Sequence, residues 1–137
     1  MAPTIVLKDG ILVAALGTPA SASIPALVTQ VISNLIDRGM GIGDAVTAPR
    51  VYWGGKKIKK PSVEVTGPIT DDVVDALVKM GYDQVATLHY PAAPNRAMTI
   101  YGGVNAVAYD PDTGRFSGVG DPRRYGFAMG PRVVVAR

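Results

Sequence analysis

The sequence predicts an α+β fold in which helices pack on one face of a largely antiparallel sheet. Three observations carry that reading. Asp9-Gly10 joins two apolar runs, a strong hairpin signal, because both central positions of a type I′ turn need positive φ. Ile24, Leu27, Val28, Val31, Ile32, Leu35 and Ile36 form one continuous stripe on a helix of period 3.6. Along the chain, the elements follow the order β-β-α-α-β-α-β-β-β, which leaves the helices to cover one side of the sheet.

Thr4–Lys8 and Ile11–Leu16 are the hairpin strands. Their side chains run apolar almost without alternation, which predicts strands covered on both faces. The turn Thr18-Pro19-Ala20-Ser21-Ala22-Ser23 leads into a helix over Ile24–Arg38, with Ser23 as N-cap, Pro25 in the first turn and Gly39 at the end. A short helix over Asp44–Ala48 is stopped by Pro49, and Arg50–Trp53 is a brief extended piece. Ser62–Thr66 alternates as a half-exposed strand. Thr70 caps a helix over Asp71–Met80, whose first turn holds Asp71 and Asp72 and whose buried side is Val73, Val74, Leu77 and Met80. Gln84–Tyr90 is a further strand. Thr99–Tyr109 is extended, with a bend or close backbone approach at Gly102-Gly103. Asp110-Pro111-Asp112-Thr113-Gly114 turns the chain back into Arg115–Val119. Asp121-Pro122-Arg123-Arg124 reads as a polar loop, and Val133–Val135 as a short last strand.

The 137 residues fit a single domain, residues 1–137, with no internal repeat or linker. With 47% hydrophobic and 18% charged residues, the composition is globular rather than disordered. No apolar run approaches the roughly 18 residues of a membrane span, and the first residues lack the pattern of a secretory signal. A soluble chain without an address is therefore expected, in a compartment the sequence does not fix. The absence of cysteine excludes disulfides and thiolate chemistry. A net charge of +3 is too small to imply nucleic-acid binding.

Two stretches are candidates for chemistry. The turn Thr18–Ser23 stands at a helix N-terminus, where free backbone N–H groups and the helix dipole suit an anion or an oxyanion. Many small-residue turns only connect and cap, and pattern alone leaves both readings open. The second is Lys56, Lys57, Lys59 and Lys60 in a Gly-Gly-led loop. Its glycine spacing is not that of a P-loop, so a solvated charged edge competes with an anion-binding patch. His89 is the sole histidine, and no carboxylate or serine spacing points to it as a base. No His/Cys cluster or carboxylate pair stands at metal-ligand spacing, so neither a metal nor a cofactor is expected.

Taken together, Pro3-Thr4-Ile5-Val6, Asp9-Gly10, Leu16-Gly17-Thr18-Pro19, Gln30-Val31-Ile32-Ser33-Asn34 and Asp37-Arg38-Gly39-Met40 resemble the C-terminal part of the γ-glutamyltranspeptidase small subunit. So do Asp44-Ala45-Val46, Ala48-Pro49-Arg50, Val63-Glu64, Leu77-Val78-Lys79-Met80-Gly81, Asp110–Gly114 and Gly120–Arg124, in the same order along nearly the whole chain. The resemblance implies the layered α-β-β-α sandwich of N-terminal-nucleophile hydrolases, with strands from two subunits. It also implies a self-cleaving precursor whose freed N-terminal threonine attacks a γ-glutamyl amide, its own α-amino group serving as base. The acyl group then passes to water or to an acceptor amine.

The departures from that pattern are specific. The nucleophilic threonine is expected upstream of Met1, and the family's Ser-Ser-Met substrate motif aligns only through Met1. Where the family has an oxyanion-hole Gly-Gly after Pro19, this chain has Ala20 and Ser21. Backbone donors survive the change, but any position there that needed positive φ would be strained. Val51-Tyr52-Trp53 and the lysine loop replace the family's Phe-His-His-Gln.

Two functions follow. One is a segment of a γ-glutamyltranspeptidase-like enzyme, inactive alone, whose partner is the large subunit and the start of the small subunit. The other is a stand-alone non-catalytic module that self-associates through open sheet edges. Neither involves nucleic acid or a membrane, and members of the family are commonly exported.

Overall fold

The computed structural model describes residues 2–53, 62–66, 70–82, 84–88 and 102–130. Within them lie seven strands and three helices. β1 (Thr4–Lys8) and β2 (Ile11–Gly17) form the hairpin, with Asp9 at φ 53° and Gly10 at φ 79°, the two positive values that a type I′ turn demands. β2 also pairs antiparallel with β6 (Asn105–Asp110), and β6 with β7 (Arg115–Gly120), giving a four-stranded sheet of order β1-β2-β6-β7.

β3 (Arg50–Trp53), β4 (Ser62–Thr66) and β5 (Gln84–Leu88) make a second sheet of three strands. The expected α+β, largely antiparallel architecture is present, with its strands divided between two sheets. β4 and β5 run parallel, because α3 (Asp71–Lys79) carries the chain back between them in a β-α-β crossover.

α1 (Ile24–Ile36) and α2 (Ile42–Thr47) lie on one face of the four-stranded sheet. Most of the stripe read from the sequence is the inward face of α1: Val28 and Val31 join Leu16, Ala106 and Val104 beneath the helices, Leu27 is buried beside Gly102, Ile24, Ile32 and Leu35 are half-buried, and Ile36 at the end of the helix is exposed. Each such Leu or Val contributes roughly 1.5–3 kcal/mol through burial. The helix ends where Gly39, at φ 63°, lets Met40 N–H reach back to the Asn34 carbonyl. Ser23 precedes α1 but does not cap it as expected. A 3-10 turn (Ser21–Ser23) puts it in a helical conformation, and its hydroxyl donates backward to the Ala20 carbonyl at 2.8 Å.

Two expectations about burial fail. β1 and β2 are covered on one face only: Val6, Ala14 and Leu16 turn toward the helices, while Ile5 and Leu7 are 68% and 59% exposed. The apolar run reflects a second apolar face that no described residue covers. Likewise α3 has no buried residue; Val74 and Leu77 are half-buried, and Val73 and Met80 are exposed. It packs on β5.

The two sheets are tied through α1. The Gln30 side chain accepts from Val51 N–H and donates to the Val51 carbonyl, both at 2.8 Å. Its amide thereby pairs with β3 as a neighbouring strand would.

Candidate functional site: a turn held at the head of a helix

β2 ends at Gly17, and the chain then turns through Thr18, Pro19 and Ala20 into the 3-10 turn that opens α1. Thr18 is fully buried and Ala20 nearly so. The Ala20 N–H donates to no described residue, so the turn keeps a backbone donor at the positive end of a 13-residue helix. The strain foreseen from the loss of two glycines does not arise at Ala20. Among the described residues, only Asp9 and Tyr125 are non-glycines with positive φ.

The turn is fixed from below by a strap, residues 102–104, that leads into β6. Gly103 N–H donates to Thr18 Oγ1 at 3.0 Å, and the Thr18 hydroxyl lies 3.3 Å from the Pro19 carbonyl oxygen. Gly102 sits at φ 63°, and a Cβ there would come within 2.3 Å of Thr18 Oγ1 and 3.0 Å of Ala20 Cβ. A Cβ on Gly103 would meet Arg124 Cβ at 2.7 Å. The close backbone approach read at Gly102-Gly103 is therefore present, and its neighbour is the turn.

The strap is held on its other side by a buried charge cluster. Val104 N–H donates to Asp121 Oδ2 at 3.2 Å, and Arg50 binds the same oxygen at 2.6 Å. Asp121 Oδ1 accepts from the backbone N–H of Arg123 at 2.9 Å and from its guanidinium at 3.3 Å. Both arginines also donate to the C-terminal end of α2, Arg50 to the Val46 carbonyl and Arg123 to those of Val46, Thr47 and Ala48. Arg50 is 1% exposed and Asp121 fully enclosed. Burial pushes the Arg50 pKa down, and the Asp121 carboxylate opposes that shift. Asp121, read from the sequence as part of a polar loop, is the centre of a buried network. Arg50, read only as extended chain, is its main cation. Their pairing spans 71 positions, and no local pattern announces it.

Beside the turn, the uncovered face of the four-stranded sheet forms a trough of about 540 Å³ bordered by Pro3, Thr4, Ile5, Gly17, Pro19 and Asn105. It continues, through Ala15 and Asn105, into a second hollow of about 420 Å³ that reaches Val107, Phe127 and Met129. Of the residues singled out from the sequence, Ala20 stands in the turn and Ser21 begins the 3-10 turn after it. Lys56, Lys57, Lys59, Lys60 and His89 lie outside the described residues, as does Val133–Val135. Among the described residues, no group of three His, Cys, Asp or Glu could hold a metal, and no helix is long and apolar enough to cross a membrane.

Comparison with known proteins agrees with this architecture. The Gamma-glutamyltranspeptidase family matches residues 1–131. The acylase ACY 1 proenzyme of Pseudomonas sp. (strain V22) is 36% identical over 112 residues, which cover 82% of this chain and 17% of the proenzyme. The glutathione hydrolase proenzyme of Bacillus subtilis (strain 168) is 32% identical over 130 residues, covering 95% of this chain and 20% of that protein. Among solved structures, a mutant γ-glutamyltranspeptidase of Helicobacter pylori superposes with a TM-score of 0.72 at 37% identity, over 90% of this chain and 60% of that one. The Pseudomonas nitroreducens γ-glutamyltranspeptidase complexed with L-DON gives 0.75 at 27% identity, over 96% and 62%. The chain thus spans about a fifth of the curated proenzymes and three-fifths of these solved chains. It belongs to the γ-glutamyltranspeptidase family and corresponds to one part of a larger family protein.

Proposed function

We propose that this chain is the part of a γ-glutamyltranspeptidase-like amide-cleaving enzyme that stabilises the oxyanion, while the nucleophile is carried by another part of the protein. The observation that carries this reading is the turn at the head of α1. Its Ala20 N–H is unspent among the described residues, and the trough beside it opens over the uncovered sheet face. A threonine hydroxyl supplied from elsewhere would attack the acyl amide carbon and pass its proton to the α-amino group. The carbonyl oxygen becomes an oxyanion, and backbone N–H groups of Ala20 and Ser21 receive it. Collapse then expels the amine with the transferred proton, leaving an acyl ester for water or an acceptor amine to take. Loss of one such donor typically costs about 100- to 1,000-fold in rate, and loss of the nucleophile costs far more. In this reading the lysine loop is a solvated edge or an accessory anion site.

The bare face carrying Ile5 and Leu7 supports the same view, because the remainder of the larger family protein would cover it as the second sheet of a four-layer sandwich. The test compares this chain with the full-length protein on a γ-glutamyl anilide. The chain alone is expected to release no product above the buffer rate, and the full-length protein to release it. Turnover by the chain alone refutes the division of labour. An inactive full-length protein refutes the enzymatic reading in favour of a non-catalytic module, for which concentration-dependent self-association in sedimentation is the signature.

A further inference from the structure

The turn could be an oxyanion site and still owe its geometry to nothing but its own sequence. The contacts beneath it indicate otherwise. Thr18 is fully buried, so its hydroxyl has to be satisfied by protein, and it is the acceptor for a backbone N–H 85 positions away. That N–H belongs to Gly103, itself buried against Arg124. The next N–H, of Val104, is held by Asp121. Two consecutive amides are therefore drawn to two different anchors, and the strap between them has little freedom to move. Gly102 completes the fit, because its positive φ and missing Cβ let the strap lie directly under Thr18 Oγ1 and Ala20 Cβ.

We infer that Thr18 is a positioning residue: its Oγ1, bonded to Gly103 N–H, sets the orientation of the Ala20 and Ser21 donors toward the transition state. The inference rests on the reading of that turn as the oxyanion site. A methyl group in place of the hydroxyl leaves Gly103 N–H buried without an acceptor. The strap then shifts toward another partner and the turn loses its support. Ground-state binding in the trough does not depend on this alignment, whereas the oxyanion forms only in the transition state, so the loss falls on kcat.

The experiment uses the full-length protein with Thr18→Val, Thr18→Cys and Thr18→Ser, and has two readouts. In steady-state hydrolysis of a γ-glutamyl anilide, Thr18→Val is expected to lower kcat about tenfold or more while KM stays within about twofold. Thr18→Ser, which keeps the oxygen, is expected to retain kcat to within about threefold. Thr18→Cys, a weaker acceptor, falls between them and keeps the comparison available should the valine variant not fold. In hydrogen exchange on the same samples, the peptide over residues 16–22 exchanges faster in the valine variant than in wild type, and the serine variant matches wild type.

A valine variant with wild-type kcat and exchange overturns the inference, as does a serine variant as impaired as valine. A rise in KM without loss of kcat overturns it as well, since that assigns Thr18 to substrate binding. If the wild-type protein is inactive, the oxyanion reading fails, while the exchange comparison still decides whether Thr18 fixes the turn.

Discussion

The buried cluster around Asp121 makes an unequal prediction for its two main members. Asp121→Ala removes the carboxylate that neutralises Arg50, a guanidinium 1% exposed to solvent. It also removes the acceptor for the N–H groups of Val104 and Arg123. Breaking a buried pair from one side costs about 3–5 kcal/mol, and an orphaned buried N–H adds about 1–3. Arg50→Met behaves differently, because Arg123 stands behind the bonds to Asp121 and to the Val46 carbonyl. The Asp121 carboxylate still binds Arg123 through Oδ1, and the Val46 carbonyl still accepts from the Arg123 guanidinium at 3.1 Å. Neither the Asp121 carboxylate nor the Val46 carbonyl is left bare, and methionine fills most of the volume, so the expected cost is only about 1–2 kcal/mol. Urea unfolding of the two variants beside the wild type, followed by circular dichroism, reads the difference directly. Asp121→Ala should lower the midpoint clearly more than Arg50→Met. Equal losses, or a larger loss for Arg50→Met, would refute the idea that Arg123 provides the reserve.

Three further outcomes are expected. Gln30→Ala removes both bonds to Val51 and should cost about 1–2 kcal/mol, with faster amide exchange at Val51; unchanged exchange there removes the pairing of Gln30 with β3. The Asp110 carboxyl lies below its ordinary value of 3.8, chiefly because the Thr113 hydroxyl and then the Asp112 N–H bond its charged form. With the folded pKa depressed, this stabilisation is present above the ordinary value and disappears as pH falls through the folded one. A carboxyl-carbon titration should therefore place Asp110 low and Thr113→Val should raise it; an unshifted midpoint in the wild type refutes this. Tyr109 and Phe116 face each other across β6 and β7 with ring centroids 4.9 Å apart, and a double-mutant cycle to alanine should give a coupling of about 0.5–1.5 kcal/mol. A coupling indistinguishable from zero refutes the contact.

Local features were legible in the sequence because the physics that makes them is local. Asp9-Gly10 fixes the hairpin through φ alone, and the spacing of Leu27, Val28 and Val31 follows from the helical repeat. Gly102-Gly103 announced a close approach, although not that Thr18 was what it approached. Arg50 and Asp121 were missed because a charge in the sequence carries no mark of burial. Only the fold brings residues so far apart to 2.6 Å. Ile5, Leu7, Val73 and Met80 erred in the opposite direction: their hydrophobicity is real, but the described residues leave much of it exposed. An apolar pattern indicates a face to be covered and is silent about which polypeptide covers it. The site followed the same division. The turn was visible as small residues ahead of a helix, and its underpinning from the far end of the chain was not.

The sheet's strand order also sets a timetable for synthesis. β2 pairs with β6, so Gly17 waits for Asn105, and Thr18 waits for Gly103, 85 positions later. At ordinary translation speeds that interval is on the order of ten seconds. During it the hairpin and α1 can form but the middle of the sheet cannot close. The nascent chain must therefore carry an unfinished β2 edge until β6 has been made. A ribosome stalled between α1 and β6 would leave a product with its hairpin made and its turn never locked.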